Sequence, residues 1–391
     1  MIIGEIYNGT ASKKRYYLQN ELYDFLRKKY KKFYFINVNN IFNKKKLKIS
    51  SLIYKKNIVH FNPKSISELN SFLKSNKIFL INNLSFKFSH TIYHYLVGRN
   101  NIFQISFSNI FHFSSYKNEN WVHVGFVQKM RYLFEKKISL FVFRSLVILR
   151  IIKQIDILCI AQKNIFKKNA STYREKTFFI KKYKHIRAIS VKLPFIQKHK
   201  GVSKKYITFI DSGIEHADIL RRGHLINNEM VKNYFSFLRI YLKKLNKIFH
   251  KEIIICLHPS SNYQLYKKEL NNFKIFKYKT EKYILNSDLI LFHDSTAIFT
   301  AIFLHKKIIS LKSNIMGDYL NTRRLFYSKP FSFVEHDIEQ NLKIKKKLLN
   351  PELIKKKNNY NKIVKKNFFT DKDALPIRAV IDSEIQKFIR K

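Results

Sequence analysis

The sequence predicts an α/β fold of two Rossmann-like domains facing a cleft. Three observations carry that expectation. Short apolar runs alternate with longer stretches of helical spacing, the pattern of βα units feeding a mostly parallel sheet. The chain has 391 residues, long for one core and comfortable for two. A Pro, a Gly and a charge run interrupt the pattern between Val191 and Lys205, the best linker in the chain.

In the first half, strands are expected at Ile2–Tyr7, Phe33–Val38, Lys77–Asn82, Ile102–Phe107 and Asp156–Ile160, with a further one at Lys184–Ser190. Helical spacing falls between them, at Tyr16–Lys29 and Ser65–Lys74. The longest apolar stretch, ISLFVFRSLVILRIIK from Ile138, is broken by Arg144, Arg150 and Lys153. It reads as an amphipathic helix packed on a core, since a membrane span needs about 20 mostly apolar residues. After the linker come strand Tyr206–Ile210, a long amphipathic helix Asn228–Phe249, and strand Glu252–Leu257. Helix Asn262–Leu270, strand Phe273–Tyr278, helix Glu281–Asn286, strand Leu289–Phe292, helix Ser295–Leu304 and strand Lys307–Leu311 follow. Residues 1–195 form the first expected domain and 205–345 the second. Two late helices within 346–391 are expected to pack back across both.

Composition excludes several classes. Hydrophobic residues make up 46% and aromatics 15%, enough to fill two cores, so disorder is not expected. With 8 Gly and 6 Pro the chain is neither collagen-like nor of low complexity. The formal net charge is +50. A nucleic-acid reader gathers its cations on one face. Here they run the whole length, and Lys outnumbers Arg roughly four to one, although Arg suits bidentate phosphate reading. Codon bias toward Lys, Asn, Ile, Phe and Tyr accounts for that pattern, and no specific nucleic-acid partner is expected. Such a surface is still drawn to anionic lipid, so contact with the inner face of a membrane fits. Cys159 and Cys256 sit inside apolar runs and read as buried hydrophobes of a reducing compartment. MIIGEIY at the start is strand-like and carries no signal-peptide pattern, which points to the cytoplasm.

In open α/β sheets, ligands bind beyond the carboxyl ends of the strands. Three polar clusters fall at such ends: DSGIEHAD after YITFI, HPSSN after EIIICL, and HDST after LILF. Asp294, Ser295 and Thr296 stand between a strand and a helix, where hydroxyls and backbone N–H groups grip phosphate; capping of the helix is the plainer alternative. His258, stiffened by Pro259, is placed to donate a hydrogen bond to a departing phosphate oxygen, or else is a turn histidine, and Ser260 and Ser261 add hydroxyls or cap the next helix. Asp211 and His216, with Glu215 and Asp218, form a carboxylate–His group suited to a general base, or else a solvated loop. Glu281 is a candidate for ribose hydroxyls or a favourable first-turn acid. Arg323 and Arg324, after the last strand, suit phosphate or solvent. No Walker motif, GxGxxG, HExxH or GxSxG is present. No acidic pair stands out as a metal anchor, so the expected chemistry uses no metal and no cofactor beyond a nucleotide-activated co-substrate.

The order HPSSN, then EKYILNSDLILFHDSTAIFTAIFLHKKIISL, resembles the C-terminal half of GT-B-type enzymes of bacterial surface-polysaccharide synthesis. The His-Pro and Ser-Thr elements are similar to those of bacterial sialyltransferases, and the later stretch to teichoic-acid glycerophosphotransferases. The resemblance spans roughly 205–315. It implies donor-phosphate binding by His258, Ser295 and Thr296, and a glycan or lipid-linked acceptor on the first domain. The reading that follows is a glycosyltransferase of capsule or lipopolysaccharide assembly. A CDP-polyol phosphotransferase, or a non-catalytic basic module binding polysaccharide, membrane or nucleic acid, are its alternatives. The departure is the base. Sialyltransferases carry an acidic pair followed by Gly in the N-terminal domain, whereas Asp211-Ser-Gly213 lies in the second.

Overall fold

The computed structural model describes residues 1–8, 20–42, 55–84, 90–107, 138, 141–163, 179–191, 206–214, 227–340, 344–370 and 372–390. They divide into two compact units. The first holds the described residues of 1–110, 127–195 and 368–391, the second those of 196–367. The expected linker lies almost wholly outside the described residues.

The first unit is built on strands β1 (Ile2–Tyr7), β2 (Phe33–Asn37), β3 (Ile58–Phe61), β4 (Ile78–Asn82), β5 (Phe103–Phe107), β6 (Ile155–Ile160) and β7 (Ile180–His185). Their order is β3-β2-β1-β4-β5-β6-β7, with every pair parallel. All six residues of β1 and all five of β4 are buried, as continuous apolar runs covered on both faces must be. Helices α1 (Asn20–Lys29), α2 (Ile66–Lys74) and α3 (Thr91–Arg99) supply crossovers. Ser65 starts α2 by accepting the Glu68 N–H at 3.1 Å, and Glu68 accepts the Lys64 N–H at 2.7 Å. Leu69 and Leu73 then join Tyr93, Leu96, Val97, Ile6 and Leu80 in one core cluster. A second cluster, Phe143, Ile152, Leu158, Ile160 and Phe179, packs under the helical stretch 141–148.

Two strands depart from the sequence pattern. β3 was not foreseen, and all four of its residues are only half-buried. β7 sits four residues earlier than the expected Lys184–Ser190, and its IKKYKH carries charge on the outermost strand. Both are edges, where cations discourage pairing with another chain.

The second unit orders its strands β10-β9-β8-β11-β12-β13, again all parallel. These are β8 (Tyr206–Ile210), β9 (Glu252–Leu257), β10 (Lys274–Lys277), β11 (Ser287–Phe292), β12 (Lys307–Lys312) and β13 (Val334–Asp337), the last not foreseen. Helix α4 (Asn228–Phe249) occupies its expected span and is capped by Asn227, which accepts the Met230 N–H at 2.7 Å. Tyr234, Leu238, Tyr241, Leu242 and Leu245 bury one stripe of it against Ile207, Phe209 and Leu291. Short helices α5 (Tyr263–Glu269), α6 (Thr280–Leu285) and α7 (Ile298–Phe303) alternate with the strands. Helices α8 (Gly317–Phe331) and α9 (Lys346–Asn367) complete the unit, with Tyr360 of α9 edge-on to Phe331 and Phe333.

The last helix, α10 (Ile377–Arg390), returns to the first unit. Phe388 packs on Phe79 and Phe103, the Ile377 N–H donates to Ser190 Oγ at 2.8 Å, and Lys29 pairs with Asp382 at 2.6 Å.

Candidate functional site

The strand order of the second unit reverses between β8 and β11, since β8 continues to β9 on one side while β11 leads to β12 on the other. At such a switch point the two outgoing loops diverge and leave a crevice beyond the carboxyl ends. Asp211 leaves β8, His258 leaves β9, and His293-Asp294 leave β11 at this edge. Ile210 is in register with both Cys256 and Phe292, so the three loops start level.

Asp211 organises them. It is 1% exposed, and both carboxylate oxygens are engaged. Tyr266 of α5 donates its hydroxyl to Oδ1 at 2.5 Å. Ser261 donates its hydroxyl to Oδ2 at 2.7 Å, and the His258 N–H reaches the same oxygen at 3.3 Å. Burial pushes the Asp211 carboxyl above the ordinary range, opposed by these donors and by the Gly213 N–H. The Ser261 N–H also closes onto the His258 carbonyl at 2.9 Å, making His258-Pro-Ser-Ser261 a hydrogen-bonded turn. Ser260 N–H donates to His258 Nδ1 at 3.2 Å. That contact makes Nδ1 the acceptor, so in the neutral ring Nε2 carries the proton. The turn leaves His258 half-buried and Ser260 exposed.

The β11 loop is tied in from the other side. The Asp294 N–H donates to Ser212 Oγ at 2.8 Å, joining the two loops that flank the switch point. Asp294 is 8% exposed, Ser295 half-buried and Thr296 exposed. Helix α7 begins at Ile298, three residues after the expected Ser295, and has six residues. Ser295 bends the chain before it, its Oγ accepting the Ala297 N–H at 3.3 Å and its carbonyl the Ile298 N–H at 3.1 Å. No side chain caps α7. A helix this short adds little dipole, so any anion here meets chiefly hydroxyls and side chains.

His293 is a core residue. It is 1% exposed, its Nδ1 donates to the Leu311 carbonyl at 2.7 Å, and Nε2 accepts the Tyr234 hydroxyl at 2.9 Å. Burial lowers its pKa to about 4, so the ring is neutral. It pins α4 and β12 to the end of β11, directly behind Asp294. Arg324 is likewise internal, 4% exposed and donating to Ser310 Oγ at 3.0 Å and Glu335 at 2.6 Å. It therefore stitches β12 to β13.

The structure thus brings Asp211, His258, Pro259, Ser260, Asp294, Ser295 and Thr296 to one edge. Glu281 lies in the first turn of α6, the helix between β10 and β11. Asp211 stands in a setting unlike that of a base, because a base must reach the acceptor proton and this carboxylate touches protein on both oxygens. His216, with Glu215 and Asp218, and the Arg323 side chain lie outside the described residues. Ser261, expected to add a hydroxyl or cap the next helix, instead donates to Asp211, and Ser212 and Tyr266 were not singled out from sequence. Tyr266 carried the one available signal, a tyrosine at the spacing of a buried helix face, whose hydroxyl needs a partner.

The first unit has its own switch point, between β1 and β4. Glu5 of β1 is fully buried, accepting the Tyr23 hydroxyl at 2.5 Å and Asn83 Nδ2 at 2.6 Å. Asn8, beyond the end of β1, meets His90 Nε2 at 2.8 Å. None of these was singled out from sequence.

Two Rossmann-like units with these strand orders make the GT-B fold. The chain superposes on the wall teichoic acid polymerase TagF at a TM-score of 0.57, with 14% identity over 100% of this chain and 89% of that one. A variant of the same polymerase soaked with CDPG gives 0.56, at the same identity and coverage. MurG of Acinetobacter baumannii, at 11% identity over 99% and 100% of the two chains, gives only 0.45. No family model and no curated protein matches the sequence. At these identities the likeness to TagF is one of fold.

Proposed function

We propose that the chain is a glycosyltransferase that takes its group from a nucleotide-activated donor, without a metal, in capsule or lipopolysaccharide assembly. The observation that carries this is the edge where Asp211 and Ser212 draw the His258 turn and the Asp294-Ser-Thr296 loop to one switch point. Exposed hydroxyls on Ser260 and Thr296 and the Nε2–H of His258 are donors suited to a diphosphate. In the reaction an acceptor hydroxyl attacks the anomeric carbon, the bond from that carbon to the phosphate oxygen breaks, and negative charge appears on the leaving diphosphate. His258 meets that charge with a hydrogen bond, and Ser295 and Thr296 hold the oxygens in place. Glu281 is assigned to the ribose and Arg323 to the phosphates. Asp211 serves as a positioning group that holds the His258 turn, which leaves His216 as the candidate base. The first unit takes the glycan or lipid-linked acceptor.

A second reading is favoured by the likeness to TagF, a variant of which was soaked with CDPG. A phosphate-linked polyol would then be transferred from a CDP donor, the attack falling on phosphorus, and CMP would leave against the same donors.

Thermal-shift measurements with CMP, CDP, UDP and GDP test both. One nucleotide is expected to raise the midpoint of the wild type, and His258→Ala to abolish that response while folding normally. A response confined to UDP or GDP rules out the second reading, which requires a cytidine nucleotide. If no nucleotide moves the midpoint, the donor site is wrong.

A further inference from the structure

The helical stretch 141–148 in the first unit is apolar on two sides. Its inner side sets Phe143, Leu146 and Val147 against Ile155, Leu158 and Ile160. A helix facing water on its outer side normally carries polar residues there. Instead, Phe141 is 72% exposed, Ile148 62% and Leu149 65%, with Ile138 and Ile151 more than a third exposed. Phe141 and Ile148 lie seven residues apart, two helical turns, on one side of the helix, with Leu149 and Ile151 following at its end. Arg144 lies on the same side and Arg150 just beyond the end, both exposed. The charges expected to make a polar face therefore only flank an apolar one. The patch stands on a firm base. A Cβ on Gly98 would lie 2.8 Å from Lys153 N, and Lys153 donates to Asn101 Oδ1 and the Ile102 carbonyl, both at 3.1 Å.

An exposed apolar patch of this kind marks a binding surface. We propose that it docks the protein on an anionic lipid bilayer. Phe141, Ile148 and Leu149 enter the boundary between head groups and acyl chains, and Arg144 and Arg150 meet lipid phosphates. Among the described residues no helix is long and apolar enough to cross a membrane, so this stretch lies in the interface plane. Charge decides the occupant. A second copy would bring together two chains of formal charge +50, whereas anionic lipid gains from that charge. The proposal is independent of the donor site, whose loops belong to the other unit.

The test is co-sedimentation with vesicles of phosphatidylcholine alone and of equal parts phosphatidylcholine and phosphatidylglycerol. Wild-type protein should pellet with the second and little with the first. Combining Phe141→Ser, Ile148→Ser and Leu149→Ser should weaken binding by about tenfold or more at unchanged thermal midpoint, since affinity scales with buried apolar area. Equal binding by the triple variant would show that charge alone adsorbs the protein and would overturn the proposal. So would a wild-type dimer, seen by light scattering, that the triple variant dissolves. Phe141→Trp gives a readout free of folding loss: its emission should shift to the blue on adding the anionic vesicles, and no shift overturns the assignment.

Discussion

Each unit buries a carboxylate on or just beyond the first strand of its sheet, and the two are used differently. Glu5 reaches across the switch point of the first unit, joining Tyr23 of α1 to Asn83 beyond β4. Asp211 turns away from the switch point of the second unit, and its side-chain donors Ser261 and Tyr266 come from the β9 side. The loop after β11 is tied in by Ser212, whose hydroxyl accepts the Asp294 N–H. One acid spans its switch point and the other shapes a turn beside one.

The sharpest way to break this contrast is Asp211→Ala. It strands two hydroxyls and an N–H in a buried place, and should cost roughly 3–5 kcal/mol in urea unfolding. The nucleotide-induced shift should vanish with it. A loss below about 1 kcal/mol would mean that Asp211 does not organise the turn.

Acid should separate the units next. His293 and His336, both in the second unit, are held to about 4 by burial, against an ordinary value of 6.5. Between those values the unfolded chain binds protons that the folded chain refuses, so stability falls as the pH drops through this window. His293 accounts for about 3 kcal/mol of that fall. Calorimetry from neutral pH downward should show the transition of the second unit sliding, with His293→Gln flattening the slope. An unchanged slope would remove His293 from the account.

Glu5→Gln keeps one acceptor and loses the charge, so a smaller cost of about 1–3 kcal/mol is expected, confined to the first unit and without effect on nucleotide response. Smallest is Ser212→Ala, at about 1 kcal/mol for one hydrogen bond. Its use lies in the ratio: nucleotide affinity should drop more than stability if that hydroxyl aligns the Asp294 loop. Equal proportional losses would make it merely structural.

The central strands and α4 were legible in the sequence because buried parallel strands are continuous apolar runs and long helices repeat every three to four residues. The edges were not. IVHF and VEHD are four residues each, partly polar, and half exposed, so they lack the signal that burial imposes. Helix α7 was misplaced at its start because Ser295 has the chemistry of a cap and is used as a turn. Within the site, the convergence of three strand ends was readable from the βα order alone. That Asp211 faces inward was not, because a carboxylate looks the same in sequence whether it meets solvent or a buried tyrosine.

The return of α10 to the first sheet has a consequence for biosynthesis. The ribosome releases β1 long before the Phe388 that packs over Phe79 and Phe103. The first unit must therefore wait, its sheet incompletely covered, while the described residues of the second, all between 206 and 367, emerge and fold. A nascent chain stalled before Ile377 would hold a finished second unit and an unfinished first, and that interval is when a chaperone has most to cover.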